Sequence, residues 1–446
     1  MTSLENLGYR QELRRALSVR DLVVYGMVFM VPIAPFGVFG FVFKDSKGMV
    51  ALAYLVGLVG MFFTAMSYAS MSRAFPVAGS LYSYVGRGLQ DAAGFLAGWL
   101  ILLDYILVPA LLYIFSIVAL RPLLPAVPDL VWLVLFVGFN AVVNLVGIRL
   151  TARVNFCMLG FEILTLAIFI VAGLLALHRG LGAGALTLSP IYDPAVFSWA
   201  TVVGATSIAV LSFLGFDGIS TLAEESVGGR DAVARATIAA LLLVGVLFIV
   251  QTWIAADLAR GMQFSSPETA FYEIAGRAGG TPLRLLVIGA NILATGIANA
   301  LAAQAAVSRI LYAMARDGKL PAALARVHPR YQTPYVSTLI VAGISVGIGL
   351  LFARRVDDLT RIVNFGALSG FLLLHVAVIN HFVIRGGSRA WFSHLVSPLA
   401  GFAVIGFVLY EMDNAAKIMG AAWIAAGIVY LAVVTRWLKK PAAIEL

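Results

Sequence analysis

Val31-Pro32-Ile33-Ala34-Pro35-Phe36-Gly37-Val38-Phe39-Gly40 interrupts an apolar run long enough to cross a bilayer. Pro32 and Pro35 each remove a backbone donor and crowd the preceding turn. Gly37 and Gly40 accept dihedrals closed to other residues. A continuous helix is therefore not expected through residues 31–40. Further on, the chain reads Ser212-Phe213-Leu214-Gly215-Phe216-Asp217-Gly218, deep in another apolar run. Glycines beside a phenylalanine and an acid predict a second unwound point. Two interrupted membrane helices, at corresponding places of two repeats, are where a carrier grips a solute. The plainer alternative is that proline and glycine kink tightly packed helices, which is common in membranes.

The rest of the chain supplies the membrane. It has 446 residues, 61% hydrophobic and 12% charged, with a mean hydropathy of +0.96. Soluble domains carry about 45–50% apolar and about 25% charged residues. A soluble globular enzyme, a disordered chain and a charge-built nucleic-acid binder are thereby excluded. Apolar runs fall at roughly 22–43, 49–72, 91–120, 129–148, 152–177, 199–222, 234–256, 283–313, 335–353, 358–384, 395–411 and 416–438. Backbone in hydrocarbon must satisfy its own hydrogen bonds, so each is read as a helix. The ten-residue alternation of a β-barrel is missing. The expected fold is all-α: one polytopic membrane domain, residues 1–446, of twelve transmembrane helices. The breaks fall in spans 1 and 6, five helices apart. This predicts two inverted five-helix repeats, 22–177 and 199–384, followed by two extra helices within 395–438.

Orientation follows from charge. The net charge of +9 needs no nucleic-acid partner, because Lys and Arg collect in cytoplasmic loops. With residues 1–21 taken as a cytoplasmic tail, the larger share of the 31 Lys and Arg falls on the inner side. Both termini are thus expected inside. The densest inner loop, 309–330, holds Arg309, Arg316, Lys319, Arg326 and Arg330. Residues 73–90 are too polar to span; a short interfacial helix after Pro76 and a plain loop both fit. The single cysteine, Cys157, allows neither an internal disulfide nor a Cys-based metal site.

Several stretches carry a resemblance: the span 1 break; Ala74-Phe75-Pro76-Val77-Ala78-Gly79-Ser80-Leu81-Tyr82; Ser212 through Glu225; Ser308-Arg309-Ile310-Leu311-Tyr312-Ala313-Met314-Ala315-Arg316-Asp317-Gly318; and Asn364-Phe365-Gly366-Ala367-Leu368. Over nearly its whole length the chain resembles the amino acid–polyamine–organocation superfamily, with its LeuT-like fold. Within it, Leu102-Leu103-Asp104-Tyr105 and the span 6 block are most similar to putrescine importers of bacterial plasma membranes. The resemblance implies a secondary transporter in the plasma (inner) membrane. Its partners would be a small amine or amino acid and membrane lipid; a monomer and a homodimer are both open. There are departures. Pro35-Phe36-Gly37 stands where the superfamily's unwound point usually reads Gly-Ser-Gly. The putrescine importers carry an aspartate where this chain has Gly37, so that amine-receiving acid is missing.

Three carboxylates, Asp104, Glu162 and Asp217, fall within spans, with no Lys or Arg at comparable depth. A charge at the bilayer centre costs roughly 2.5–3.5 kcal/mol on insertion scales. Each acid must be neutral, face a wet cavity or meet a cation. A neutral acid would carry a coupling proton and an ionised one would neutralise a substrate ammonium, and both readings favour protons or organic cations over anions. Asp217 follows the span 6 break, and exchangers that the chain resembles have an acid at that place. The resemblance implies substrate contact or proton relay; capping the second half of helix 6 is the plainer role. At Glu162, proton-coupled relatives carry a lysine in place of sodium, so the second proton candidate here has reversed charge. A protonated acid bonded to a nearby carbonyl is the alternative. Asp104 would meet the far amine of a diamine or pair with a polar group of span 8 or 10.

The candidate substrate site is Ile33, Ala34, Pro35, Phe36, Gly37, Asp104, Ser212, Phe213, Gly215, Phe216, Asp217 and Asn291, with Glu162 and Asp217 as proton carriers. Phe36, Phe213 and Phe216 are cation–π faces, thin gates or core. Asn291, Asn299, Gln304 and Asn364 line the cavity or join helices. Glu224-Glu225 would pair with Arg230 or Arg309 to close an inner gate, or be solvated. His375 and His381 lie on different helical faces, so a metal pair is not expected. No phosphate loop or hydrolase constellation appears. The sequence therefore points to a proton-coupled importer of amines or amino acids, without cofactor, or to a neutral amino acid permease whose acids serve only protons. No enzyme is expected.

Overall fold

The computed structural model describes residues 11–121, 124–229, 231–352, 356–412 and 414–437. Apart from one isolated parallel bridge, Leu17 to Ser226, the regular structure of these residues is helical. Among the described residues, ten helices are long and apolar enough to cross a membrane. The bent pair α1 (Val19–Met30) and α2 (Pro35–Asp45) makes an eleventh, with 53° between its halves. Large apolar side chains such as Leu135, Leu164, Val171 and Leu351 stay exposed along these helices. Surface of that kind belongs in lipid. The protein is a multi-pass membrane protein.

Helix α1 starts on a capping box, with Ser18 and Asp21 each bonding the other's backbone N–H. Next come α3 (Val50–Ala74), α4 (Ser80–Gly88), α5 (Asp91–Leu120), α6 (Asp129–Val146) and α7 (Ile148–His178). Helix α4 forms where an interfacial helix was one of two readings. It is buried, however, rather than lying on lipid: Ser80 through Val85 are all enclosed. The reason is Gly94, where a Cβ would come 2.4 Å from the Gly86 Cα, so only glycine lets α4 lie against α5.

The second half opens with α8 (Trp199–Ala209), followed by a 3-10 turn Val210–Phe213 and a 3-10 helix Phe216–Glu225. Helices α9 (Asp231–Ala259), α10 (Ala270–Leu293) and α11 (Ala300–Arg316) follow, the last two joined through a π-helical turn, Ala294–Asn299. The helix begins at Ala270, well before the expected start of the eighth span at 283, and kinks at Gly279 and Gly280. Helices α12 (Tyr335–Phe352), α13 (Val356–Val378), α14 (Ser397–Glu411) and α15 (Asn414–Trp437) complete the order. In α15 the apolar stretch is the shorter Lys417–Val433.

Candidate functional site

Both expected breaks are present. Pro35 has no N–H to give Val31, and the next donors bond three residues back. Ala34 N–H donates to the Val31 carbonyl (2.8 Å), Phe36 N–H to Ile33 (2.9 Å) and Gly37 N–H to Ala34 (3.1 Å). Val31 sits at φ +57°, a strained value for a β-branched residue. In the second break Leu214 is extended and Gly215 has φ +118°. The breaks touch: a Cβ on Gly215 would lie 2.8 Å from the carbonyl oxygen of Phe29, and one on Gly218 would lie 2.3 Å from the Phe29 ring. Glycine at both positions is what lets the end of α1 rest on the start of the 3-10 helix.

Asp217 opens that 3-10 helix and is buried. One carboxylate oxygen accepts the Gly215 N–H (3.2 Å); the other accepts the hydroxyl of Tyr105 from α5. The carboxylate is thus held both by backbone at the break and by a side chain from another helix. Asp104 is buried beside Tyr105 and within electrostatic range of Asp217. Neither acid has an ion-pair partner among the described residues. Phe216 packs edge-on against Tyr68 (5.8 Å), and the Ser220 hydroxyl bonds Ser80 (2.6 Å). A polar nest with two acids and no cation therefore lies under the meeting point of the breaks.

The other expected site residues divide between layers. Ile33 and Pro35 are buried in the break, and Ala34 is half-buried. Gly37 faces open space, with nothing within 4 Å of where a Cβ would sit. Phe36 stacks on Phe271 (4.2 Å) and packs against Phe169 (6.1 Å). Asn291 donates to the Tyr272 hydroxyl (2.9 Å), next to Phe271. These residues form an aromatic layer beyond the breaks. Ser212 bonds the Tyr54 hydroxyl (3.0 Å), and Phe213 is wedged against Phe248 (5.1 Å). Glu162 is elsewhere, on α7. It is 1% exposed, and both its oxygens lack a hydrogen-bond partner, as do the amide of Asn155 and the hydroxyl of Thr165 on the same helix. Arg230 and the side chain of Asn364 lie outside the described residues. His375 bonds Ser67 (2.9 Å) and Thr64 (3.3 Å), while His381 packs on Phe75.

On the opposite side of the breaks from the aromatic layer lies a charged layer. Glu225 takes a two-pronged bond from Arg309, both buried. Glu224 is held by Arg316 (2.8 and 3.0 Å) and by the Ala78 N–H (2.9 Å). The segment before α1 lies across this end: the Ala16 and Leu17 N–H groups donate to the Glu225 carbonyl (2.9 and 3.0 Å). The nest is thus covered by aromatic rings on one side and ion pairs on the other.

The sequence model of the family described as "Amino acid permease" matches residues 22–438. The chain belongs to this amino acid permease family. It falls within the amino acid–polyamine–organocation superfamily. The low-affinity putrescine importer PlaP of Escherichia coli (strain K12) is 31% identical, over 97% of this chain and 96% of that protein. The branched-chain amino acid permease BcaP of Bacillus subtilis (strain 168) is 26% identical, over 94% and 92% respectively. The cationic amino acid transporter 4 of Mus musculus is 27% identical over 84% of this chain and 61% of its own length. These relatives are permeases and transporters, not enzymes, and so is this chain.

Sequence reasoning missed three residues of this candidate site. Tyr105 holds Asp217, Phe29 dictates Gly215 and Gly218, and Gln251 bonds the Pro32 carbonyl (2.8 Å). Only Gln251 left a signal, as the one amide in the apolar run 234–256. Tyr105 stands in the stretch Leu102-Leu103-Asp104-Tyr105 that carries the resemblance, but nothing in the sequence gives its hydroxyl a role at Asp217.

Proposed function

We propose that this permease is a proton-coupled importer of amines or amino acids that works by alternating access. The observation that carries the reading is the meeting of two broken helices beside Asp217 and Asp104, acids with no ion-pair partner among the described residues. A substrate ammonium would enter that nest and supply the missing cation. The aromatic and ion-pair layers would open in turn. In this reading the chain forms twelve spans in two inverted five-helix repeats, 22–177 and 199–384, plus two further helices. It lies in the plasma membrane with both termini cytoplasmic, which places Glu224 and Glu225 at the inner gate. Glu162 and Asp217 are the proton carriers. In support, Glu162 is a buried acid without partners, a group that is stable when neutral. The Pro32 carbonyl, freed by the break, is already occupied by an amide, which supports a proton rather than a metal cation as the coupling ion.

One observation favours the second reading, a neutral amino acid permease with acids serving only protons. Asp217 is already engaged by Tyr105 and Gly215. The relatives include both a putrescine importer and a branched-chain amino acid permease. Uptake of putrescine and of leucine into proteoliposomes, with and without an inward proton gradient, separates the two. Gradient-driven putrescine uptake supports the first reading and leucine uptake alone the second. Transport of neither, across a wider amine and amino acid series, overturns both.

A further inference from the structure

Helix α9 presents Phe248 and Gln251 three residues apart, hence on one face. Phe248 packs on Phe213 (5.1 Å) and Tyr54 (5.5 Å), just before the turn at Gly215. Gln251 reaches the other break. In an unbroken helix the Pro32 carbonyl would accept the N–H of Phe36. Here Phe36 donates to Ile33, and residue 35 is a proline. The Pro32 carbonyl is orphaned by its own neighbours, in a buried residue. One amide hydrogen of Gln251 fills it at 2.8 Å, and the Nε2 also donates to the Leu247 carbonyl at 3.0 Å. Two acceptors on Nε2 fix which way the amide faces. Its Oε1 is left buried without a partner.

We propose that Gln251 is a positioning residue of the transporter: through the Pro32 carbonyl it fixes the span 1 break against the span 6 break that Phe248 supports. Helix α9 is then a strut touching both breaks. The inference rests on the proposed substrate site between them, but its first test needs no substrate. In the full-length purified protein, Gln251→Met removes the donor at similar volume. Amide hydrogen exchange in peptides covering residues 31–37 is expected to quicken about fivefold or more, with α5 unchanged. For whichever of putrescine or leucine the wild type transports, KM is expected to rise about tenfold with the maximal rate within about twofold. Gln251→Glu donates to Pro32 only while protonated. Its KM, taken relative to wild type at the same pH, should approach unity at acidic pH and rise about tenfold at alkaline pH. A merely structural role would lower thermal stability while leaving KM and this pH profile flat, and that result overturns the proposal. So does unchanged exchange over 31–37. Should Gln251→Met fail to fold, the Gln251→Glu profile decides. If the wild type carries neither probe, the transport reading is at fault, and exchange alone judges the strut.

Discussion

The Tyr105 hydroxyl donates to the carboxylate of Asp217, tying the middle of α5 to the first turn of the 3-10 helix. The bond joins the segments that carry Asp104 and Asp217, since Asp104 precedes Tyr105. It also sets the direction of the Asp217 carboxylate, which is otherwise held by backbone N–H groups, that of Gly215 among them.

Tyr105→Phe should keep the fold and weaken handling of a cationic substrate. A buried acceptor that loses its donor costs about 1–3 kcal/mol. We expect KM for putrescine, or another transported amine, to shift about tenfold, while Asp217→Asn abolishes proton-driven uptake altogether. Initial-rate kinetics in proteoliposomes decide this. Wild-type KM in Tyr105→Phe would make the phenol incidental, and wild-type uptake in Asp217→Asn would remove the acid from the mechanism.

Glu162→Gln exchanges a buried acid without partners for a neutral side chain of the same shape. Thermal stability should hold or rise, because no ion pair is lost. Uptake should lose its response to a proton gradient, and wild-type uptake should be indifferent to replacing sodium by potassium. A strict sodium requirement would take Glu162 out of the coupling scheme.

Arg309→Ala leaves Glu225 buried and uncompensated. Removing one partner of a buried pair costs about 3–5 kcal/mol, whereas replacing both by apolar residues is far milder. Arg309→Met with Glu225→Met should therefore recover much of the stability lost in Arg309→Ala, read from denaturant unfolding in detergent. The double variant should still transport poorly if the pair is a gate. Normal transport would reduce it to a structural contact.

Gly215→Ala and Gly37→Ala should differ sharply although both lie at breaks. At Gly215 a methyl meets the Phe29 carbonyl at 2.8 Å with φ at +118°, so neither backbone can give way. At Gly37 nothing lies within 4 Å. We expect loss of folded protein for the first, and for the second a yield and melting temperature close to wild type. Equal behaviour would mean that the two breaks do not press on each other.

The membrane helices and both breaks were legible because each depends on local chemistry. An apolar run must satisfy its backbone internally, and Pro35 withholds a donor wherever it stands. Even so, the sequence did not foretell that the second half of the sixth span is a 3-10 helix. Nor did it place Phe36 in a stack with Phe271, far along the chain. The ion pairing of Glu224 and Glu225 was half legible: Arg309 was a candidate partner, but Arg316 at Glu224 was not foreseen, because pairing depends on which turn of α11 faces the 3-10 helix.

By itself, then, the sequence determined a bundle of membrane helices, two of them interrupted, with three acids at depth. Hydropathy and missing amides act over a few residues and need no partner. Tertiary structure alone decided that Asp217 is held by Tyr105, that Phe29 requires Gly215, and that Gln251 answers the Pro32 carbonyl. Each is a contact between helices distant in sequence, set by the rotation and depth at which those helices pack. A linear pattern fixes which face of a helix is apolar, but not which neighbour that face will meet.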